Sequence, residues 1–440
     1  MPASSTAQDP GDTSGAPPIR QQLLLSVPAI VIGVVSALVL WALDRASEWL
    51  QDQVWGTLPA AMGISPDSGW WIFSVLTITG AAVGFAVWAI PGHGGPDSAT
   101  TELGGPPAPL AAVPSMLLVV LIGLVGGVSL GPENPIIAVN SALAVALLAR
   151  WSKRIPEMFV VMLASSATIG ALFGTPVAAA LLLTGVVGAI RGRGSLWDKL
   201  YLPVAAAAAG ALTMHVLGEP SLAFSLPPMG APTLPDLGWG VLIAAASAVL
   251  GLLAAVLLPV LHRAFHALRN PFLFTALGGA VLGLLGVIGG PMTLFKGLNQ
   301  TGELLTNPDD YGAGALALMT GIKLLALVVA TGSGFRGGRV FPIVFAGTAF
   351  GLFAHAVVPD VPLSLAVACG VMGMVLVAVR DGWMALFLGI ALTGDLGLLP
   401  LLCVIVLPTW LIVSRAPALE VHEDQVRTKD LVLGKPRGKR

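Results

Sequence analysis

The sequence predicts an all-α polytopic membrane protein whose helices are broken and tilted. Hydrophobic residues make up 55% of the 440 residues and charged residues only 10%, whereas a soluble globular protein has about 25% charged residues. Apolar runs of about 20 residues, long enough to cross a bilayer, recur along the chain. Glycine and proline interrupt several of these runs at membrane depth. The net charge of -1 gives no indication of nucleic-acid binding.

The first part of the chain is a polar tail followed by a series of apolar runs. Residues 1–20 are rich in Pro, Ser, Gly and Thr and lack an apolar core, which predicts a disordered tail and not a signal peptide. Residues 23–43 and 70–90 are the first two spans, and the second carries tryptophans suited to the membrane interface. We expect a first membrane repeat half over residues 21–217. Its further apolar runs are 113–130, 136–149, 158–173, 176–190 and 201–217.

A Pro-rich connector over residues 218–237 predicts the boundary between two halves. Apolar runs resume after it, so we expect a second membrane half over residues 238–413. Residues 414–440 are charged and predict a short cytoplasmic tail. The runs of the second half are 238–261, 272–288, 315–330, 343–357, 361–379, 383–394 and 398–413.

Glycine- and proline-rich breaks recur in the same order in the two halves. Pro96 and Pro291 are 195 positions apart, and Pro135 and Pro342 are 207 apart. Paired interruptions of this kind indicate an inverted-repeat transporter with a binding site near the midplane. The alternative is that the glycines only allow helices to pack closely. That alternative does not explain the charged residues in the breaks. These residues are Glu133, Arg336 and Arg339.

The break at residues 126–140 places a carboxylate where a new helix starts. Pro135 suits the first turn of a helix, and the free N–H groups and positive dipole end of that turn attract anions. An ionised Glu133 at membrane depth is costly, so it indicates a functional site. We expect Glu133 to act as a gate that occupies the anion position when deprotonated and leaves it when protonated. The alternatives are a capping carboxylate or an ion pair with Arg336 or Arg339.

Three motifs resemble those of the CLC family of chloride channels and proton-coupled anion exchangers. Residues 92–96 are similar to the family's GSGIP loop, residues 131–135 to GREGP with its external gate glutamate, and residues 338–342 to GxFxP. The resemblance covers roughly residues 21–413. It implies a CLC-like inverted-repeat fold, a homodimer with one pore per subunit, and cytoplasmic termini in the plasma or inner membrane. It assigns anion binding to Gly92, His93, Gly94, Gly95, Pro96, Gly131, Pro132, Asn134, Pro135, Gly338, Arg339, Val340, Phe341 and Pro342, with Glu133 as the gate.

Two positions in these motifs leave alternatives open. His93 replaces the serine of GSGIP, and its ring either donates to an ion or caps the loop without contacting one. The resemblance implies that the backbone N–H groups of Arg339 and Val340 coordinate the anion. The Arg339 side chain adds a charge where the family pattern is apolar, and it either attracts anions or holds Glu133 in place.

Two further positions lack the residues that the family uses. The internal proton-transfer glutamate of many family exchangers falls near Thr184 and Gly185, and neither residue titrates. The pore-lining tyrosine near the C-terminus also has no counterpart. Thr409 or Trp410 is a candidate for its place.

We expect passive or weakly coupled permeation of chloride or a similar small anion, such as fluoride, through a CLC-type pore. The alternative is an anion/proton exchanger in which His93 or a water chain is the second relay. A third hypothesis is an intramembrane enzyme or scaffold, for which Ser129 beside Glu133 and His93 is the only candidate cluster. We expect neither a cofactor nor a metal. The other histidines, interpreted as lacking metal-ligand spacing, are His215, His262, His266, His355 and His422.

Overall fold

The computed structural model of the chain is almost entirely helical. It describes residues 19–101, 108–151, 155–189, 195–218, 224 and 226–421. We number the helices of these residues in chain order. The first eight are α1 (Ile19–Gln51), α2 (Leu58–Ala61), α3 (Gly69–Ala89), α4 (Val113–Val125), α5 (Glu133–Trp151), α6 (Glu157–Phe173), α7 (Pro176–Ala189) and α8 (Leu196–Val216). The next eight are α9 (Leu234–His266), α10 (Pro271–Gly289), α11 (Leu298–Thr306), α12 (Ala313–Gly332), α13 (Val340–Val357), α14 (Leu363–Val379), α15 (Gly382–Thr393) and α16 (Leu399–Val413).

The predicted all-α membrane class is confirmed. Among the described residues, seven helices are long and apolar enough to cross a membrane, and six shorter apolar helices accompany them. Helix α9 begins four residues before the predicted run, and α10 extends its run by one residue at each end. The predicted tails at 1–20 and 414–440 and the connector at 218–237 lie partly outside the described residues.

Helices α3 and α10 pack closely through small residues and so connect the two parts of the chain. A Cβ atom added to Gly80 would lie 2.7 Å from the Cα atom of Gly279 and 2.7 Å from the carbonyl oxygen of Thr275. The two backbones therefore touch directly, as small residues allow in membrane proteins. For these glycines the packing alternative is sufficient, and no ion site is needed to explain them.

Helix α13 is held by one of the most buried helices of the protein, α14. Every residue from Ser364 to Val377 of α14 is buried. A Cβ atom added to Gly351 of α13 would lie 2.6 Å from the Cα atom of Val367. This backbone contact fixes α13 inside the protein, and with it the position of the first turn at Val340.

Helix α5 is anchored near its middle by the buried amide of Asn140. The Asn140 Nδ2 atom donates to the Thr168 hydroxyl at 2.9 Å and to the Ser36 carbonyl at 3.2 Å. These bonds tie α5 to α6 and α1, because Thr168 and Ser36 belong to those helices. The first residue of α5, Glu133, is thereby held at a defined place.

Candidate functional site

The carboxylate of Glu133 lies at the N-terminus of α13. Its Oε1 atom accepts a hydrogen bond of 2.9 Å from the backbone N–H of Phe341. The residue is 1% exposed, and Oε2 is buried without a hydrogen-bond partner. Helix α13 begins at Val340, two residues before Pro342, so the donor belongs to the first helical turn, whose N–H groups have no intrahelical partner. The donor described here is the N–H of Phe341 and not those of Arg339 or Val340.

The two predicted breaks meet directly through their glycines. Gly131 and Gly338 form an antiparallel bridge. The Gly131 N–H donates to the Gly338 carbonyl with an N···O distance of 2.9 Å, and the Gly338 N–H donates to the Gly131 carbonyl with an N···O distance of 2.6 Å. A Cβ atom at either glycine would overlap the Glu133 carboxylate. Glycine is therefore required on both strands of the bridge if the carboxylate is to lie between α5 and α13.

The loop at residues 92–96 packs against α4. The His93 Nδ1 atom lies 2.8 Å from the carbonyl oxygen of Val87, and the Gly94 N–H donates to the Ser115 hydroxyl at 3.3 Å. His93 has a φ of +49°, in the left-handed region that non-glycine residues rarely adopt. The bond to Val87 corresponds to the loop-capping alternative for this histidine.

The described residues show no contact among the three side chains on which the enzyme hypothesis depends. The Ser129 hydroxyl is buried and has no hydrogen-bond partner. Glu133 bonds to Phe341 and His93 lies against Val87. No described hydrogen bond joins the three residues of that candidate cluster.

The residues that follow Pro96 connect this first break to the bridge. The Ser98 hydroxyl accepts a hydrogen bond of 2.7 Å from the N–H of Gly337. The Thr101 carbonyl accepts from Arg339 Nη2 at 3.0 Å and from Asn134 Nδ2 at 3.4 Å. Three interrupted segments of the chain are thus joined around Glu133 by hydrogen bonds that the sequence did not predict.

Two cavities approach each other at the first turn of α13. The large cavity, about 670 Å³, is lined by Asn134, Arg339 and Val340 among others. The small cavity, about 220 Å³, is lined by Phe341 and Lys296 among others. The adjacent residues Val340 and Phe341 therefore line different cavities, and the Phe341 N–H also holds the Glu133 carboxylate.

Both cavities border α6. The large cavity extends along this helix from Met158 to Ile169, and the small cavity contacts its end at Ala171 and Leu172. Neighbouring residues therefore line the two cavities on α6 as well as at the first turn of α13, whose Phe341 N–H bonds to the Glu133 carboxylate.

This arrangement, a carboxylate at a helix start between two cavities of a membrane protein, agrees with the family match. The model of the voltage gated chloride channel family matches residues 75–413. The chain belongs to this family. The "Putative ion-transport protein YfeO" of Escherichia coli O9:H4 (strain HS) is 45% identical over 409 residues, which cover 93% of this chain and 97% of that protein. The protein of the same name from Escherichia fergusonii is 45% identical over 406 residues, with coverages of 92% and 97%.

Solved structures of the CLC type share the fold at low sequence identity. A slow cyanobacterial Cl⁻/H⁺ antiporter has a TM-score of 0.75 at 18% identity and covers 94% of this chain and 99% of its own. A CLC-type fluoride/proton antiporter has a TM-score of 0.70 at 19% identity, with coverages of 91% and 98%. The predicted CLC-like architecture is therefore confirmed.

In this CLC-family chain, the segment 416–421 closes one side of the large cavity. The Val421 N–H donates to the carbonyl oxygen of Ala99 at 2.7 Å, and Leu419 and Glu420 line the cavity. Thr409, one of the two candidates for the place of the pore tyrosine, is buried and donates to the Ile405 carbonyl within α16. The sequence signal for this segment was weak: Leu419 and Val421 are apolar, but the tail that contains them is rich in charged residues.

Gly185, near which the sequence analysis expected the family's internal glutamate, borders the same cavity. Gly185 of α7 lines the large cavity, and the hydroxyl of Thr184 donates to the Leu181 carbonyl at 2.6 Å. This part of the wall carries no titratable side chain at either residue. A proton that crosses the large cavity would need another carrier.

A cluster of charged and polar side chains lies outside the predicted site residues. Asp97 contacts Arg336 at 3.3 Å, His262 at 3.4 Å and His266 at 3.6 Å. The structure thus pairs Arg336 with Asp97, whereas the sequence analysis considered Glu133 as its partner. The interpretation that the histidines lack metal-ligand spacing was wrong for His262 and His266, which are four residues apart on α9.

Two lysines support the small-cavity side of the site. Lys323 of α12 is fully buried, and its Nζ atom donates to the carbonyls of Thr293, Leu294 and Phe295 at 3.1, 2.9 and 2.8 Å. Lys296 forms a 3.0 Å ion pair with Asp44. A lysine in an apolar run such as 315–330 is itself a signal, because an intramembrane charge needs partners.

Proposed function

We propose that the chain transports chloride or a similar small anion across the membrane between the two cavities, passively or with weak coupling. The observation that supports this most directly is the hydrogen bond from the Phe341 N–H to the Glu133 carboxylate. A helix N-terminus that holds a carboxylate offers the same N–H and dipole to a free anion. Membership of the voltage gated chloride channel family and the ion-transport name of the 45% identical relatives support the same function.

Glu133 is the gate in this proposal. When ionised, it is a tethered anion that competes with the permeating ion for the first turn of α13. When protonated, it loses the charge that the helix N-terminus favours and leaves the position. Lowering the pH increases the protonated fraction, so anion flux should rise as the pH falls.

The test is anion efflux from proteoliposomes that contain the purified protein or its Glu133→Gln variant. Glutamine keeps the size of the side chain but removes the titration, so we expect fast flux at neutral pH and little dependence on pH. Glu303→Gln is the matched control, because Glu303 is exposed on α11 and bonds to Tyr311. A Glu133→Gln variant with unchanged flux and an unchanged pH profile would show that the gate assignment is wrong.

The second candidate function is exchange of the anion for protons. Two structures with this fold are described as Cl⁻/H⁺ and fluoride/proton antiporters, and Glu133 is a buried carboxylate. Because Thr184 and Gly185 offer no titratable group, the second carrier would be His93 or a water chain. An imposed chloride gradient that drives protons against their own gradient would establish exchange, and chloride flux with no proton movement would establish the passive mode.

We further propose a homodimer in the plasma or inner membrane, with one anion path per subunit and cytoplasmic termini. These features follow from the family and not from the contacts described above. The mass of the protein in detergent tests the dimer. Labelling of a single cysteine placed in the tail at residues 1–18 by a membrane-impermeant reagent tests the orientation, and ion-selective electrodes compare chloride with fluoride.

A further inference from the structure

The cluster of Asp97, His262 and His266 brings three metal-binding atoms together at one end of the helix bundle. His262 and His266 are one turn apart in the last part of α9, and Asp97 follows the end of α3. The Asp97 Oδ2 atom lies 3.4 Å from His262 Nε2 and 3.6 Å from His266 Nε2. All three ligand atoms lie within 4.8 Å of one another.

These distances agree with a tetrahedral metal site. Zinc–nitrogen and zinc–oxygen bonds are about 2.0–2.1 Å long, so two ligands of a tetrahedral ion are about 3.4 Å apart. The oxygen–nitrogen distances of 3.4 and 3.6 Å in the cluster are close to this value. The planes of the two stacked imidazoles are only 22° apart, so one ring must rotate for both Nε2 lone pairs to point at the same ion. The fourth position would be open to water.

The imidazole of His266 presents a lone pair to Asp97. Its Nδ1 atom lies 2.9 Å from the carbonyl oxygen of His262, so Nδ1 carries the hydrogen that bonds to that carbonyl. In the neutral ring Nε2 is then an acceptor, and it faces the carboxylate oxygen of Asp97. Two acceptors that face each other repel unless the ring is protonated, as in a histidine–aspartate ion pair, or a metal cation lies between them. A backbone bond that orients a histidine ring in this way is usual for metal ligands.

The rings and the carboxylate are held in place by other groups. His262 and His266 stack with centroids 3.8 Å apart, and His266 stacks on Phe274 at 4.3 Å. The Asp97 Oδ1 atom accepts from the Ala99 N–H at 3.0 Å and faces Arg336 at 3.3 Å. Both partners lie on Oδ1, which leaves Oδ2 for the imidazoles. Supporting bonds of this kind tune the ligands of metal sites.

We propose that Asp97, His262 and His266 bind a divalent transition-metal ion of the zinc class. The side chains of His266 and Asp97 are 31% and 22% exposed, and both residues lie near the ends of helices, at the end of α9 and after α3. The ion ties the loop after α3 to the end of α9. It also lies beside Arg336, in the loop that leads to the Gly337 and Gly338 contacts around Glu133, so metal binding stiffens the support of the anion site.

The test is titration of the chelator-treated, full-length protein in detergent with Zn²⁺ and, separately, with Co²⁺. We expect one ion per chain, the visible absorption of four-coordinate Co²⁺, and a higher unfolding temperature with Zn²⁺. The variant His266→Ala should bind about 100-fold more weakly, since even supporting residues of metal sites contribute 10- to 100-fold. The variant His215→Ala, which changes an exposed histidine outside the cluster, should bind like the unaltered protein.

A second variant keeps the test decisive if His266→Ala folds poorly. His266→Cys replaces one ligand by a thiolate and should retain Co²⁺ while adding a thiolate-to-metal charge-transfer band. The proposal is overturned if the unaltered protein binds no tighter than His266→Ala, or if His266→Cys binds Co²⁺ without that band. In either case the cluster is a set of ion pairs around Asp97 and holds no metal.

Discussion

Replacing Gly338 by alanine should open the anion path without changing any charge. A Cβ atom at this position would overlap the Glu133 carboxylate and lie 2.6 Å from its Cδ atom and 2.9 Å from its Cβ atom. The carboxylate must therefore rotate away from α13, and the backbone that carries the Glu133 Cβ atom must shift slightly. The φ angle of Gly338 is not positive, so alanine does not strain the backbone.

The size of the effect follows from the bond that is lost. A hydrogen bond from a backbone N–H to a charged group contributes about 1.5–3 kcal/mol. Loss of that bond changes the ratio of gate-occupied to gate-free protein by roughly 10- to 150-fold. We expect anion efflux from proteoliposomes at neutral pH to rise at least about tenfold, and its pH dependence to weaken.

Two comparisons make this prediction specific. Gly321→Ala is the matched control, because a Cβ atom there meets nothing within 4 Å. The double variant of Gly338→Ala with Glu133→Gln should be no faster than Glu133→Gln alone, since both changes act on the same gate. A folded Gly338→Ala protein with the flux and pH profile of the unaltered protein would refute the reasoning.

Two further predictions concern the lysines near the small cavity. Lys296→Met removes the partner of Asp44 in the 3.0 Å ion pair, so anion flux should fall severalfold at low ionic strength and recover with added salt. Asp44→Asn should instead raise anion flux. If both variants changed the flux in the same direction and by the same amount, this prediction would be contradicted. Lys323→Met removes the donor to three buried carbonyls, each worth about 1–3 kcal/mol when left unpaired. It should lower the unfolding temperature in detergent, whereas Leu325→Met on the exposed face of α12 should not; equal unfolding temperatures would count against the structural role.

The meeting of two chain breaks at Glu133 could be predicted because its causes are local. Glycine and proline at 131–135 and 338–342 end one helix and start another whatever surrounds them. A carboxylate at membrane depth then needs a donor, and a helix start provides one. The exact donor, Phe341, could not be predicted, because it depends on whether α13 begins at Val340 or at Pro342.

The Asp97 cluster could not be predicted, because it depends on where distant helices end. Asp97 and His262 are 165 residues apart, and only the packing of α3 on α10 and the full length of α9 bring them together. The four-residue spacing of His262 and His266 was visible in the sequence, but their shared partner was not. The contact of Val421 with Ala99 was hidden for the same reason.

The donor that holds the Glu133 carboxylate is a main-chain amide, so family members can change their side chains here without losing it. A substitution at Phe341 alters a wall of the small cavity but keeps the N–H, unless proline is introduced. In the proposed anion path, neighbouring side chains such as Arg339 can therefore differ between relatives while the backbone donor is kept. Two proteins that differ at every side chain near this point would still share the same electrostatic centre.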